Sequence, residues 1–294
     1  YEIYAIIVIV IAIIIRFSLI GIYAVSGDAC WHFSTSKFMA QNNYKIPLYE
    51  GVGRDEPFWP PPLFHFIAAS FFKVFGDIGL RIISPLFGAL TIILIYFLFR
   101  MFLNTKMSFF SIFFIAFTPV FIDYNVFGYV ESLLTFLLVL SLYFALDNKY
   151  LLSGIVAGIS ILTKFNGVFI LPVLFYLVYK NHSKKSFIKN SFFITIFPLI
   201  IGSPWLIRNW INMGNPIWPF MNVLFHGIER NSYMNFAPEK LTTINTYIST
   251  YLGFFGIPNG DYETLFFVSI PYFAFLLIVY FISTIIFILP IFFG

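Results

Sequence analysis

Apolar runs long enough to cross a membrane recur along this chain, and they restrict what it can fold into. A helix needs about 18 or more apolar residues to cross roughly 30 Å of hydrocarbon. Hydrophobic residues make up 60% of the sequence and charged residues only 10%, whereas soluble domains carry about 25% charged residues. Stretches such as residues 3–15 do not alternate between apolar and polar side chains. We therefore predict an all-α polytopic membrane protein.

The charge of the short loops predicts which ends of the spans face the cytoplasm. Short loops rich in Lys and Arg are retained on that side, and such loops lie at residues 100–106, 147–150 and 180–189. With these loops and the N-terminus inside, eight spans alternate without conflict. The predicted spans cover about residues 3–25, 80–99, 107–122, 132–146, 151–163, 165–179, 190–207 and 264–291.

Two long polar stretches lie outside in this topology, a first outer loop at residues 26–79 and a second at 208–263. Segment 61–76 is apolar but short, so we predict that it and segment 30–42 are helices lying in the outer interface. Residues 1–294 then form one membrane domain. Because the chain ends directly after a span, we expect the protein to be truncated at its C-terminus.

Composition also restricts the kinds of site and binding partner that this chain can have. A single cysteine, Cys30, excludes an internal disulfide and a cysteine-based metal site. Several lysines cluster in one short loop, so the net charge of +4 does not indicate nucleic-acid binding. We expect the lipid bilayer as a partner, and the plasma membrane of a prokaryote rather than the endoplasmic reticulum as the location.

Two acids stand at the starts of helical segments on the predicted outer side. Asp28 is interpreted either as the N-cap of an interfacial helix or as a general base near the lipid interface. Glu131 is interpreted either as a first-turn acid favoured by the helix dipole or as a functional charge, because charges within spans are costly. Asp123 is an alternative acid. His32 could share a helix face with Asp28, in a metal site or a structural hydrogen bond.

Two basic residues lie on the same predicted side. Lys164 separates two short apolar segments, and we predict a break there that lines a wet cavity. Arg208 lies at the outer end of the 190–207 span. Each could snorkel to the interface, or the two together could bind a phosphate, Arg as a planar fork and Lys as a point charge. Arg16, inside the first span, is predicted to snorkel or to pair with an acid.

The order and spacing of these pieces resemble one known superfamily. The chain is similar to the GT-C membrane glycosyltransferases, in the branch of the protein O-mannosyltransferases and the aminoarabinose transferases of lipid A. The resemblance covers about residues 26–220 and rests on the stretches SGDACWHF, PPLFHF, YVESLLTF, GIVAGISILTKFNG and PWLIRNWINMGNPIWPF.

The resemblance implies a GT-C-like helix bundle with interfacial helices in the first extracytoplasmic loop. It also implies a glycosyltransferase that moves a sugar from a polyprenyl phosphate, dolichyl or undecaprenyl, to a protein, lipid or glycan acceptor at the extracytoplasmic face. Asp28 matches the catalytic base of an inverting displacement, and Glu131 matches the second acid. Lys164 and Arg208 match positions that face the donor phosphate.

Further expectations concern substrate contacts and cofactors. Pro60 stands where aminoarabinose transferases have a Lys before Pro-Pro-Leu, and His65 is the candidate substitute. His226 and Arg230 in the second outer loop are candidate lid or substrate contacts. A monophosphate leaving group carries less charge than a diphosphate, so no cofactor is required. A divalent metal is compatible with the chemistry but is not indicated.

Two other functions compete with this hypothesis. A transporter or flippase also carries charges and broken helices within the membrane, but no internal repeat is visible and the polar residues collect on one side. An inactive relative that serves as a subunit is the third interpretation, and the retained acids argue against it.

Overall fold

The computed structural model describes residues 1–21, 27–47, 49–51, 54–181 and 184–228. The predicted all-α class is confirmed, since helices make up most of this range. The helices are α1 (Glu2–Ser18), α2 (Gly27–Gln41), α3 (Leu63–Phe75), α4 (Asp77–Arg100), α5 (Thr105–Ala116), α6 (Pro119–Val126), α7 (Glu131–Leu146), α8 (Tyr150–Thr163), α9 (Leu171–Asn181), α10 (Lys184–Met213) and α11 (Asn222–Phe225). A 3-10 helix at Phe165–Ile170 links α8 to α9.

The first outer loop contains the two helices that the sequence predicts, α2 and α3, and one element that it does not. That element is a short antiparallel hairpin of β1 (Tyr49–Gly51) and β2 (Arg54–Pro57). Strands of three and four residues are too short to show a period of two in the sequence. Helix α4 begins at Asp77, directly after Gly76, so it extends three residues into the predicted loop.

Two described helices are long and apolar enough to cross a membrane, at Asp77–Arg100 and Ser186–Met213. A third span is available if α5 and α6, bent by 59° at their junction, count as one. Helix α7, with 16 residues, is about 24 Å long at 1.5 Å per residue. The total of eight spans therefore stays a prediction, and the proposed span at 264–291 lies outside the described residues.

Bends and breaks occur where the sequence weakens the helical hydrogen bonds. Pro119 begins α6 and cannot continue α5, because proline has no N–H to donate. The predicted break at Lys164 is confirmed: its backbone is extended, between α8 and the 3-10 helix. Gly167 packs against the backbone of Ser160 and Ile161, where a Cβ would clash. The chain can therefore turn back tightly after Lys164.

One hydrophobic core joins the helices that carry the candidate residues. It contains buried side chains from α2, α3, α4, α7 and α8 together with the residue before α7. Burying such apolar surface stabilises the fold by about 25 cal/mol per Å². The core therefore fixes Asp28, Glu131 and Lys164 relative to one another, since each sits at an end of a packed helix. Its members are Phe33, Phe64, Ala68, Leu80, Ile83, Val130, Leu133, Leu137 and Val156.

Candidate active site

Asp28 lies in the first turn of α2, and its side chain is exposed. Asp28 is the second residue of α2, which begins at Gly27, so it is not the N-cap of this helix. An acid in the first turn is favoured by the helix dipole, so structural and chemical roles are both open to it. Further along α2, His32, Phe33 and Ser36 are buried, which holds the helix in place while the carboxylate at its start stays accessible.

The turn before α7 is held against α2 and α4. Gly128 has a φ of +90°, and a Cβ there would clash with the ring of Phe33. The Ser84 hydroxyl donates a hydrogen bond of 3.0 Å to the carbonyl oxygen of Tyr129. These contacts fix the first residue of α7, Glu131, on the side of the bundle where α2 begins.

Glu131 and Lys164 form an ion pair. The Lys164 Nζ donates to Glu131 Oε1 over 2.5 Å, and the two side chains are 38% and 31% exposed. The sequence places these residues 33 positions apart, on the same predicted side of the membrane, but it does not predict that they pair. About a third of each side chain is exposed, so the pair is available to a ligand.

Electrostatic effects show that the acids share one region. Burial raises the pKa of Tyr129, and the nearby charges of Asp28, Glu131 and Asp123 raise it further. Burial lowers the pKa of His32 to about 4, which Asp28 opposes and Lys164 reinforces. Asp28 acts on both Tyr129 and His32, so it shares this end of the bundle with Glu131, Asp123 and Lys164.

His32 and His65 form a buried pair that sequence reasoning missed. His32 Nδ1 and His65 Nε2 lie 2.9 Å apart, and the two residues are 9% and 1% exposed. Trp31, Phe58 and Phe64 surround the rings. The structure thus places His65 in the interior against α2. Two histidines 33 residues apart give no local signal of pairing.

Arg208 hydrogen-bonds to the backbone of the first outer loop. Its Nη1 donates to the carbonyl oxygen of Phe58 and, over 2.9 Å, to Asn209 Oδ1. The guanidinium carbon lies 4.7 Å from the ring centroid of Trp205. The Trp59 carbonyl oxygen accepts hydrogen bonds from Trp205 Nε1 at 3.0 Å and from Asn209 Nδ2 at 3.3 Å. We call these contacts the loop–α10 joint.

Trp59 links this joint to the turn that carries Lys164. Its ring stacks on Phe165, with centroids 6.2 Å apart and planes inclined by 13°, and meets Phe220 edge-on at 5.6 Å. Phe165 is the residue directly after Lys164. The structure therefore brings the Arg208 and Lys164 segments to the same aromatic side chain, although the two cations make their hydrogen bonds with different partners.

The remaining candidates lie elsewhere or beyond the described range. His226 is exposed and adopts a left-handed conformation at the end of α11, with a φ of +51°. Arg230 lies outside the described residues. Within the part of the chain that the structure describes, no three His, Cys, Asp or Glu side chains group together as a metal site requires.

Comparison with known proteins identifies a family. The family model described as dolichyl-phosphate-mannose-protein mannosyltransferase matches residues 59–208, slightly more than half of the 294 residues. The match begins at Trp59 and ends at Arg208, the two sides of the loop–α10 joint, and it includes Glu131 and Lys164. Asp28 lies before it. Among curated proteins, none matches this chain.

Two solved structures share the fold. ArnT from Cupriavidus metallidurans in the apo state gives a TM-score of 0.62 at 17% identity, covering 85% of this chain and 48% of that one. ArnT from the same organism, bound to undecaprenyl phosphate, gives 0.58 at 18% identity, covering 75% and 43%. The predicted GT-C-like helix bundle is confirmed by this likeness, and the chain spans less than half the length of either structure.

Proposed function

This chain belongs to the dolichyl-phosphate-mannose-protein mannosyltransferase family, and we propose that it transfers a sugar from a polyprenyl-phosphate donor. The acceptor is a hydroxyl group of a protein, lipid or glycan. In this proposal the reaction takes place at the extracytoplasmic face, where the first outer loop and the second outer loop meet. The match to ArnT bound to undecaprenyl phosphate supports a lipid-linked donor.

One observation supports this function above others: accessible acids and a lysine share one end of a membrane helix bundle. Asp28 is exposed, and Glu131 pairs with Lys164 over 2.5 Å. Asp28 and Lys164 both act electrostatically on His32, so both lie near that ring. An inverting glycosyl transfer needs a base on one side of the anomeric carbon, for the acceptor hydroxyl, and a cation on the other side, for the leaving phosphate.

In the proposed mechanism Asp28 is the general base. Its carboxylate takes the proton of the acceptor hydroxyl as the oxygen attacks the anomeric carbon of the sugar. The bond between that carbon and the donor's phosphate oxygen breaks, and polyprenyl phosphate leaves with the bonding electron pair. The configuration at the anomeric carbon inverts, because attack and departure occur on opposite faces.

Lys164 and Arg208 are proposed to stabilise the phosphate as it leaves. A lysine ammonium carries three N–H donors, so the single hydrogen bond to Glu131 leaves two for phosphate oxygens. Arg208 uses Nη1 toward Phe58 and Asn209, and its other N–H groups remain for a planar interaction with phosphate. Both cations then act where negative charge develops, which is the most effective place for them.

Glu131 has two proposed tasks. It orients Lys164 through their ion pair, and its second carboxylate oxygen can accept hydrogen bonds from hydroxyls of the sugar or the acceptor. His226 and Arg230 remain proposed lid or substrate contacts of the second outer loop. No cofactor is required in this scheme, because the leaving group is a monophosphate.

The test is a comparison of Asp28→Asn with the wild-type full-length protein. Each is purified and incubated with a panel of polyprenyl-phosphate sugars, and transfer and hydrolysis are measured. Loss of general base catalysis costs about 10²- to 10⁴-fold, so we expect turnover of Asp28→Asn to fall by at least a hundredfold. Asp77→Asn is the matched control, because Asp77 is an exposed first-turn acid of α4 that pairs with Lys37.

Asp77→Asn should keep wild-type turnover. Unchanged turnover in Asp28→Asn would remove Asp28 as the base and direct the search to Glu131 or Asp123. A folded wild-type protein that turns over none of the donors would contradict the proposed function and favour the transporter or subunit hypotheses.

A further inference from the structure

Arg16 is a charged side chain completely buried within α1. Its Nε donates to Asn125 Oδ1 over 2.8 Å, Nη1 to the Ala12 carbonyl over 3.1 Å and Nη2 to the Ala116 carbonyl over 2.9 Å. The sequence predicts that it snorkels or pairs with an acid, and this prediction is wrong, because the guanidinium is buried and its hydrogen-bond partners are neutral oxygens. A buried charge in a membrane span is costly and usually functional.

The position of Arg16 coincides with the break between α5 and α6. Ala116 is the last residue of α5, and the bend of 59° before Pro119 leaves carbonyl oxygens without helical partners. Such groups must be satisfied inside the protein in a membrane. Arg16 supplies a donor to Ala116, and its guanidinium carbon lies 5.0 Å from the ring centroid of Phe121, on the far side of the break. Arg16 therefore holds both halves of the bent pair.

The same guanidinium is connected to the candidate active site. Asn125, which accepts from Arg16, is buried and donates through Nδ2 to the Ser132 hydroxyl over 3.3 Å. Ser132 in turn donates to the Tyr124 carbonyl over 2.8 Å. Ser132 directly follows Glu131 in the first turn of α7. A Cβ at Gly88 of α4 would clash with Asn125, so the amide has little freedom to move.

We propose that Arg16, acting through Asn125 and Ser132, is a positioning residue that sets where Glu131 stands. The network ties Arg16 of α1 to Asn125 in α6 and to Ser132 in α7, so a shift of the guanidinium moves the start of α7. Glu131 then loses its alignment with Lys164, 2.5 Å away. The proposal rests on the function proposed above for its catalytic consequence, but its structural consequence can be measured separately.

The first experiment measures transfer by Ser132→Ala, which removes the last link of the network and retains a small side chain. Misplacing a reacting group by about 1 Å costs up to a hundredfold in rate, and we expect kcat/KM to fall about tenfold. Ser141→Ala is the control: Ser141 is also buried in α7 and bonds Ser153, ten residues from the site. We expect kcat/KM of Ser141→Ala to stay within twofold of wild type.

A double-mutant cycle separates positioning from general damage. If Ser132 acts only through Glu131, then Ser132→Ala reduces kcat/KM no further in a Glu131→Gln background. Losses that multiply in the double variant would overturn the proposal. Equal effects of Ser132→Ala and Ser141→Ala would do so as well.

The second experiment does not depend on transfer. Purified protein is treated with an N-hydroxysuccinimide ester of acetate, and the acetylation rate of Lys164 is measured by mass spectrometry, with the exposed Lys106 as reference. We expect Lys164 to react several times faster in Ser132→Ala and in Arg16→Lys than in wild type or Ser141→Ala. Arg16→Lys keeps the charge but lacks the fork that reaches Asn125 and Ala116 together. Unchanged Lys164 reactivity in both variants would overturn the proposal even if the protein transfers no sugar.

Discussion

His32 and His65 are two buried rings whose environment favours the neutral form. Burial lowers the pKa of His32 from 6.5 to about 4, and burial and His32 lower that of His65 well below 6.5. The unfolded chain binds protons at both positions below about pH 6.5, while the native protein does not. The contribution of the two neutral rings to the free energy of unfolding is therefore fully present above pH 6.5 and is lost as the pH falls toward 4. We expect the apparent melting temperature in detergent to fall over this window.

A variant comparison isolates the histidines from other titrating groups. Each ring contributes a slope of up to about 1.4 kcal/mol per pH unit to the free energy of unfolding. In His65→Gln the decrease between pH 6.5 and 4 should be clearly shallower, while in His226→Gln, where the ring is exposed, it should match wild type. Identical slopes in all three proteins would show that the buried pair does not control this dependence.

At the level of helices, α8 and α10 pack closely because two glycines of α8 have no side chain. A Cβ on Gly154 would meet the backbone carbonyl oxygen of Phe193, which cannot move away without displacing α10. Overpacking of this kind costs about 1–3 kcal/mol. We expect Gly154→Ala to lower the apparent melting temperature by several degrees, measured by thermal unfolding in detergent.

Gly202→Ala of α10 is the matched control for this prediction. The added Cβ there would approach a methyl group of Ile161 at 3.3 Å, and a side chain can shift more easily than a backbone. Both substitutions gain the same helix propensity, about 1 kcal/mol, so this gain cancels in the comparison. A Gly154→Ala protein as stable as Gly202→Ala would contradict the proposed packing.

The sequence predicts most accurately those helices whose ends are marked by neighbouring residues in the sequence. Helices α7 and α8 begin within one residue of their predicted starts, because an apolar run and its polar boundary are both visible in the sequence. Lys164 marked a break for the same reason. The bend at Pro119 divided a segment that was predicted as one span, although proline at a helix start is a known signal.

The contacts of the site were harder to predict than its elements. Asp28, Glu131 and Lys164 were assigned to one side of the membrane, and the structure brings them to one end of the bundle. The pairings of Lys164 with Glu131 and of Arg16 with Asn125 join residues 33 and 109 positions apart. Such pairings depend on how helices pack, which a single sequence without homologues does not reveal.

For the whole molecule, the orientation in the membrane is the prediction with the simplest test. Cys30 is exposed and lies two residues after Asp28. If the candidate active site faces outward, a membrane-impermeant maleimide should label Cys30 in intact cells. Labelling is measured by the mass shift of the purified protein, and the Cys30→Ser variant should lose it.

The opposite side provides the control. Lys106, exposed in the first turn of α5, is predicted to face the cytoplasm, so Lys106→Cys in the Cys30→Ser background should react only after the cells are permeabilised. The reverse pattern, with Cys30 protected and the new cysteine labelled in intact cells, would invert the topology.

The loop–α10 joint has a consequence for how evolution can be read from this family. On the loop side, the acceptors are the main-chain carbonyls of Phe58 and Trp59, which exist whatever residue occupies those positions. These hydrogen bonds therefore do not force substitutions at 58 and 59 to match changes at Arg208 and Asn209. Correlated substitutions between homologues would therefore reveal these hydrogen bonds poorly. A chimera whose boundaries were chosen from such correlations would separate the first outer loop from α10 although the two are bonded to each other.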